Sequence, residues 1–116
     1  MQRNLRDEER RLITNMVRGS SAENIILAQL EDAMVVDMND GGMGGIRFCD
    51  QNGNKRVLGR QISEATYVDK DGVPVSLTLN IDQQDKIFEL DIWKADNSTL
   101  KSYPRPEDVT LIRKDN

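Results

Sequence analysis

Histidine is absent from the 116 residues, and cysteine occurs once, at Cys49. The first absence excludes Ser-His-Asp and Cys-His nucleophile arrangements, and with them the usual zinc sites of Cys and His. A single thiol excludes an internal disulfide. No apolar run is long enough to span a bilayer, and the start, Met1-Gln2-Arg3-Asn4, lacks the apolar stretch of a secretory signal. The cytoplasm is therefore the expected compartment, without a membrane partner, and the sequon Asn97-Ser98-Thr99 carries no weight there. A dense basic footprint is missing as well. The formal net charge is −4, split as +2 over the first 18 residues and −6 over the remainder. Nucleic acid is not the expected partner of such a chain; a basic protein is.

Two short motifs are incomplete. Ser98-Thr99-Leu100-Lys101 has S-x-x-K spacing, but S-D-N and K-T-G are absent. Asp69-Lys70-Asp71-Gly72 opens like a calcium loop, yet Val73 and Asn80 stand where such a loop needs acids. No catalytic residue, metal site or cofactor is assigned.

What is present is β patterning, centred on residues 61–94. Residues 62–69, 73–81 and 86–93 read as three antiparallel strands. In the middle strand Val73, Val75, Leu77, Leu79 and Ile81 alternate with Pro74, Ser76, Thr78 and Asn80, the period of a strand with one buried face. Lys70-Asp71-Gly72 fits a three-residue hairpin loop with Gly72 left-handed, which pairs Tyr67 with Val75 and Ala65 with Leu77. Asp82-Gln83-Gln84-Asp85 is read as a four-residue loop, pairing Ile81 with Lys86, Leu79 with Phe88, Leu77 with Leu90 and Val75 with Ile92. The opposite face then carries Thr66, Ser76 and Asp91 in one row and Glu64, Thr78 and Glu89 in the next, with Trp93 near one edge. Paired carboxylates about 9–10 Å apart at Cα can serve acid–base chemistry or hold a divalent metal. A solvated or protein-binding face is the simpler reading, since antiparallel sheets commonly leave one face in water.

Toward the N-terminus, Leu5, Leu12, Ile13, Met16 and Val17 recur at helical spacing, with Asp7, Glu8 and Glu9 in the first turn and Gly19 as the stop. The face with Arg3, Arg6 and Arg10 reads as solvated, with a basic contact as the alternative. Ser20 and Glu23 have capping-box spacing ahead of a second helix that turns Ile25, Ile26 and Leu30 inward. Residues 33–38 and 46–49 read as strands around Asp40-Gly41-Gly42-Met43-Gly44-Gly45. That segment reads as a tight turn, with a ligand loop of Asp40, Gly41, Gly42, Met43 and Gly44 as the alternative; a phosphate loop would need a helix after it. Asn52-Gly53 signals a further turn, residues 55–58 continue the sheet, and residues 109–112 form a short edge strand.

The segments Asp40-Gly41-Gly42-Met43-Gly44, Asp71-Gly72-Val73-Pro74-Val75 and Glu89-Leu90-Asp91-Ile92-Trp93-Lys94 resemble a family of small bacterial proteins of unknown function. The resemblance extends through the Tyr103-Pro104 tail and brings no activity with it. In size and charge the chain is also similar to the immunity proteins that neutralise bacterial toxins.

The expected fold class is α+β: two N-terminal helices, about 6–18 and 22–30, packed on one face of an antiparallel sheet of 5–6 strands at about 33–93, with a tail at 94–116, all in one domain. The expected function is that of a non-enzymatic protein-binding module, of immunity type, meeting a basic toxin through Glu64, Thr66, Thr78, Glu89, Asp91 and Trp93. The alternative is a small ligand- or metal-binding domain or enzyme using the glycine loop and the sheet carboxylates. The oligomeric state is left open.

Overall fold

The chain folds as an α+β protein in a computed structural model, which describes residues 1–50, 53 and 55–114, the last two through their backbone alone. The order is β1 (Arg3–Asn4), α1 (Asp7–Val17), α2 (Glu23–Leu30), β2 (Met34–Asp37), β3 (Ile46–Phe48), β4 (Leu58–Val68), β5 (Pro74–Asp82), β6 (Ile87–Lys94), a 3-10 turn (Pro106–Asp108) and β7 (Thr110–Lys114). The seven strands among the described residues form one sheet in the order β1-β2-β3-β6-β5-β4-β7, each neighbouring pair antiparallel. This exceeds the expected 5–6 strands, because β1 has only two residues and no pattern to read. The edge strand expected at 109–112 forms as β7, which pairs with β4 at the margin of the sheet and carries it past residue 93 into the segment otherwise read as a tail.

In α1 the periodicity holds: Leu12, Ile13, Met16 and Val17 are buried, with Leu5 just ahead of them. The expected basic face is not simply solvated. Arg3 holds Glu9 and Asp37, and Arg10 donates to the Leu30 carbonyl at 2.8 Å. The Ser20–Glu23 capping box does not form. Glu23 instead accepts the Gly19 amide at 2.6 Å, and the N-cap is Ala22. Ile25 is 53% exposed rather than inward, since only Ile26 and Leu30, four residues apart, share the buried stripe of α2. These helix residues belong to one hydrophobic cluster with Val35, Ile46, Ala65, Leu77, Leu79, Leu90 and Ile92 of the sheet.

The β4–β5 hairpin matches its expected register. Gly72 sits at φ +80, Asp69 N donates to Val73 O, and Tyr67 pairs with Val75 and Ala65 with Leu77. The β5–β6 hairpin does not. Its loop has three residues, because Asp82 N donates to Lys86 O and Asp85 takes the left-handed position at φ +63. One residue further on, a β-bulge interrupts the ladder between Asn80–Glu89 and Ile81–Ile87. Each change shifts the pairing by one residue in the same direction. Together they place Leu79 opposite Leu90, Leu77 opposite Ile92 and Val75 opposite Lys94. A shift of two preserves which residues face inward and changes every cross-strand partner. Phe88, expected in the core, is the bulged residue. Its ring lies under the guanidinium groups of Arg47 and Arg56, at 5.5 and 5.2 Å, and Ile87 faces Ile81 in its place.

Residues 55–57 do not join the sheet. β4 begins at Leu58 with an irregularity between Leu58 and Arg60. A Cβ at Gly59 would stand 2.5 Å from the Asp82 carbonyl oxygen, so only glycine lets the two backbones approach this closely. The turn expected at Asn52-Gly53 lies largely outside the described residues; Gly53 N bonds Asp50 O at 3.0 Å.

Candidate functional site

Three motif-bearing segments converge at one end of the sheet, around a lysine. Lys94 continues the inward parity of Leu90 and Ile92, so its side chain enters the interior and is fully buried. Its ammonium group is 2.8 Å from Asp69 Oδ2 and 2.6 Å from Asp71 Oδ2, and it donates to the Thr99 carbonyl at 3.1 Å. Asp69 is itself buried and accepts the amides of Lys70, Lys101 and Ser102. Burial pushes the Asp69 carboxyl up, but the Lys101 amide, the Lys94 ammonium and the other two amides outweigh it and hold it at about 2. Burial likewise lowers Lys94, and its two carboxylate partners more than reverse this. Every formal charge here has a partner, the condition under which ions are kept in an interior.

The glycine segment serves the same cluster. Asp40 folds back on it: Oδ1 accepts Met43 N at 3.0 Å and Oδ2 accepts Gly45 N at 2.9 Å. Met43 is buried with its sulfur 3.4 Å from Lys94 N. The Gly42 carbonyl accepts Leu100 N and the Gly41 carbonyl accepts the Thr99 hydroxyl. Gly42 sits at φ +83, and a Cβ there would stand 3.0 Å from the Thr99 methyl; one at Gly44 would meet Leu100, Ile92 and Tyr103. These glycines let residues 99–103 lie against the turn. The Asp40 carboxylate therefore makes contacts within its own loop. A hollow of about 310 Å³ lies beside Asn39, Asp40 and Arg47, and Met43 is not on its wall.

A second internal ion pair holds the other end. Arg56 donates to Asp82 Oδ2 at 2.9 Å, to the Phe48 carbonyl at 2.7 Å and to the carbonyls of Lys86 and Ile87. Asp82 also accepts the amides of Gln84 and Lys86, shaping the three-residue loop. Burial raises the Asp82 carboxyl, and the Lys86 amide, the Arg56 guanidinium and the Gln84 amide outweigh it, leaving it lowered. A cleft of about 310 Å³ opens beside this pair, with Gln29, Cys49, Arg56 and Lys86 on its walls.

Sequence reasoning misses the ion pairs of Lys94, Asp69, Asp71, Arg56 and Asp82. A signal exists for the first: in Phe88, Leu90, Ile92, Lys94, the lysine sits on the apolar phase of the strand. None exists for Arg56, whose carboxylate partner lies 26 residues away and whose other partners are carbonyls.

The outer sheet face brings together the expected contact residues in new rows. Thr66, Ser76 and Trp93 form one row, with Thr110 of β7 beyond Thr66. Glu64, Thr78 and Asp91 form the next, with Arg113 beyond Glu64. Glu89 moves to a third row with Asn80 and Arg47, and the charge there is met. It is nearly buried, 3.2 Å from Arg47 and 3.1 Å from the Asn80 amide. β3 pairs only with Glu89 and Leu90, so at the level of Asp91 and Trp93 the strand has its ladder neighbour on the β5 side. Trp93 is 53% exposed. Asp91 is half-buried and its carboxyl is raised, first by burial, then by Glu89 and Asp40. Among the described residues, no group of three or more Cys, Asp or Glu side chains is placed to hold a metal ion.

The family model for a domain of unknown function, DUF6984, matches residues 2–104, and the chain belongs to that family. No curated protein and no solved structure matches it.

Proposed function

We propose that this chain is a non-enzymatic protein-binding module whose outer sheet face receives a basic partner. The two helices cover the inner face, and the outer face is left for contact. The observation that carries the reading is Trp93, half exposed next to Asp91 on β6, with Glu64 two strands away in the Asp91 row; neither carboxylate takes a hydrogen bond or ion pair among the described residues. Tryptophan is the side chain most enriched at binding hot spots, and unmet negative charge selects a positive surface. Thr66 and Thr78 supply hydroxyls between them, and Glu89 positions Arg47 rather than facing a partner.

An immunity-type role, neutralising a basic toxin in the cytoplasm, fits the −6 carried by the chain after residue 18. No helix among the described residues is long and apolar enough to cross a membrane. The test is a pull-down from the native cell with the whole chain as bait, washed at low and at high salt. A stoichiometric protein released by salt, and lost when Trp93→Ala is the bait, is the expected result. Equal capture by Trp93→Ala removes the sheet face from the reading.

A further inference from the structure

The outer face has a graded chemistry that narrows the partner's contact group, if the binding reading above holds, as this inference requires. We propose that Trp93 and Asp91, neighbours on the outer face of β6, form a notch that receives an arginine side chain of the partner, its guanidinium stacked on the indole and hydrogen-bonded to the Asp91 carboxylate.

Trp93 and Asp91 are two residues apart on one strand, so both project from the outer face about 6.6 Å apart along it. That span suits one planar cation that touches a ring with its face and a carboxylate with its edge. Thr78 sits opposite Asp91 and Ser76 opposite Trp93, so hydroxyls rather than hydrocarbon line the cross-strand side. The internal cations near this face are committed elsewhere. Arg47 is held by Glu89 and lies over Phe88, while Arg56 and Lys94 are in their own buried pairs. Glu64, at the far end of the same row, offers a second carboxylate about 9–10 Å from Asp91 at Cα, within reach of a neighbouring basic residue of the partner. The raised Asp91 carboxyl agrees with this: burial, Glu89 and Asp40 together outweigh the attraction of Arg47, so a further cation at Asp91 is favoured. An ammonium group has no planar face to stack, so lysine satisfies only half of the notch.

Trp93 is the chain's single tryptophan, so its fluorescence reports the notch alone. The full chain is titrated at low salt with a hexa-arginine peptide and, separately, a hexa-lysine peptide of equal charge. A saturable change in emission is expected with hexa-arginine, with affinity at least about threefold above hexa-lysine. Asp91→Asn should weaken hexa-arginine binding about tenfold, and Glu64→Gln by less. Glu8→Gln, which removes one exposed charge from α1, should leave it unchanged. The inference is overturned if emission does not change, if the two peptides bind alike, or if Asp91→Asn matches Glu8→Gln. If the pull-down yields a partner that Asp91→Asn captures as well as the native chain does, the arginine notch fails while the binding function stands. If no partner is captured, the function itself fails.

Discussion

Two groups of charges on β6 and its neighbours differ in one respect. Lys94 and Asp69 are enclosed at one end of the sheet, with the more exposed Asp71 closing the cluster from outside, each ion facing another and the Asp69 oxygens also taking amides. Asp91 and Glu64 lie on the opposite face, three and more residues away, with hydroxyl neighbours; neither makes a hydrogen bond or ion pair among the described residues, and Arg47 acts on Asp91 only at longer range. Lys94 and Asp91 sit on alternate phases of β6, and Asp69 and Asp71 lie in the turn that follows β4. The motif residues hold the architecture, binding the 95–103 segment to the β4–β5 turn, whereas the outer carboxylates carry the proposed contact. Specific sequence and functional sequence part company here: the conspicuous glycines, the Asp-Gly turn and the lysine all serve packing.

The largest effect expected from this contrast belongs to Asp69→Ala. It leaves the interior ammonium with Asp71 and the Thr99 carbonyl and removes the acceptor of three amides, for a loss of about 3–5 kcal/mol in urea unfolding. Acid probes the same pair. The Asp69 carboxyl is held at about 2, below its ordinary 3.8, so its contribution to stability is complete above the ordinary range and is lost as the pH falls through about 2. The urea midpoint should fall between pH 4 and pH 2, and less so in Asp69→Asn, where there is no proton to take up. Next in size, Gly59→Ala drives a methyl against the Asp82 backbone and should cost about 1–3 kcal/mol. A loss below that range would mean the β4 irregularity gives way. The smallest effect belongs to the outer face: Asp91→Asn should change stability by less than about 0.5 kcal/mol. Its sign should be stabilising at neutral pH, because a raised carboxyl favours the fold only below its pKa and its ionised form opposes it above. A large destabilisation by Asp91→Asn would erase the distinction between the two groups.

Much of the fold is legible in the chain because alternation is a local signal. The inward set of β4, β5 and β6 follows from period two, and the β4–β5 register follows from one glycine in the left-handed position. The β5–β6 register is not legible, because Asp85 takes the left-handed place without being glycine and the bulge at Phe88 is stabilised by distant guanidinium groups. Strand β1 is invisible for a similar reason: Arg3 and Asn4 become a strand through Val35 and Met34, some thirty positions on. The candidate contacts Glu64, Thr66, Thr78, Asp91 and Trp93 are legible as a face, though not in their rows. Glu89 is legible as an acid, but not as one neutralised by Arg47, whose place beside it depends on β3 joining β6.

The paired shift in the β5–β6 hairpin has an implication for how such a sheet can change over generations. A short loop and a bulge cancel in parity, so beyond the exchange of Phe88 for Ile87 the inward set is unchanged while every neighbour on the exposed side is dealt anew. A lineage that gains or loses both at once keeps the inward phase of its strands and acquires a different pattern of neighbours on the outer face. The two faces of one sheet can thus diverge at separate tempos, the hidden one restrained by packing and the open one free of that restraint.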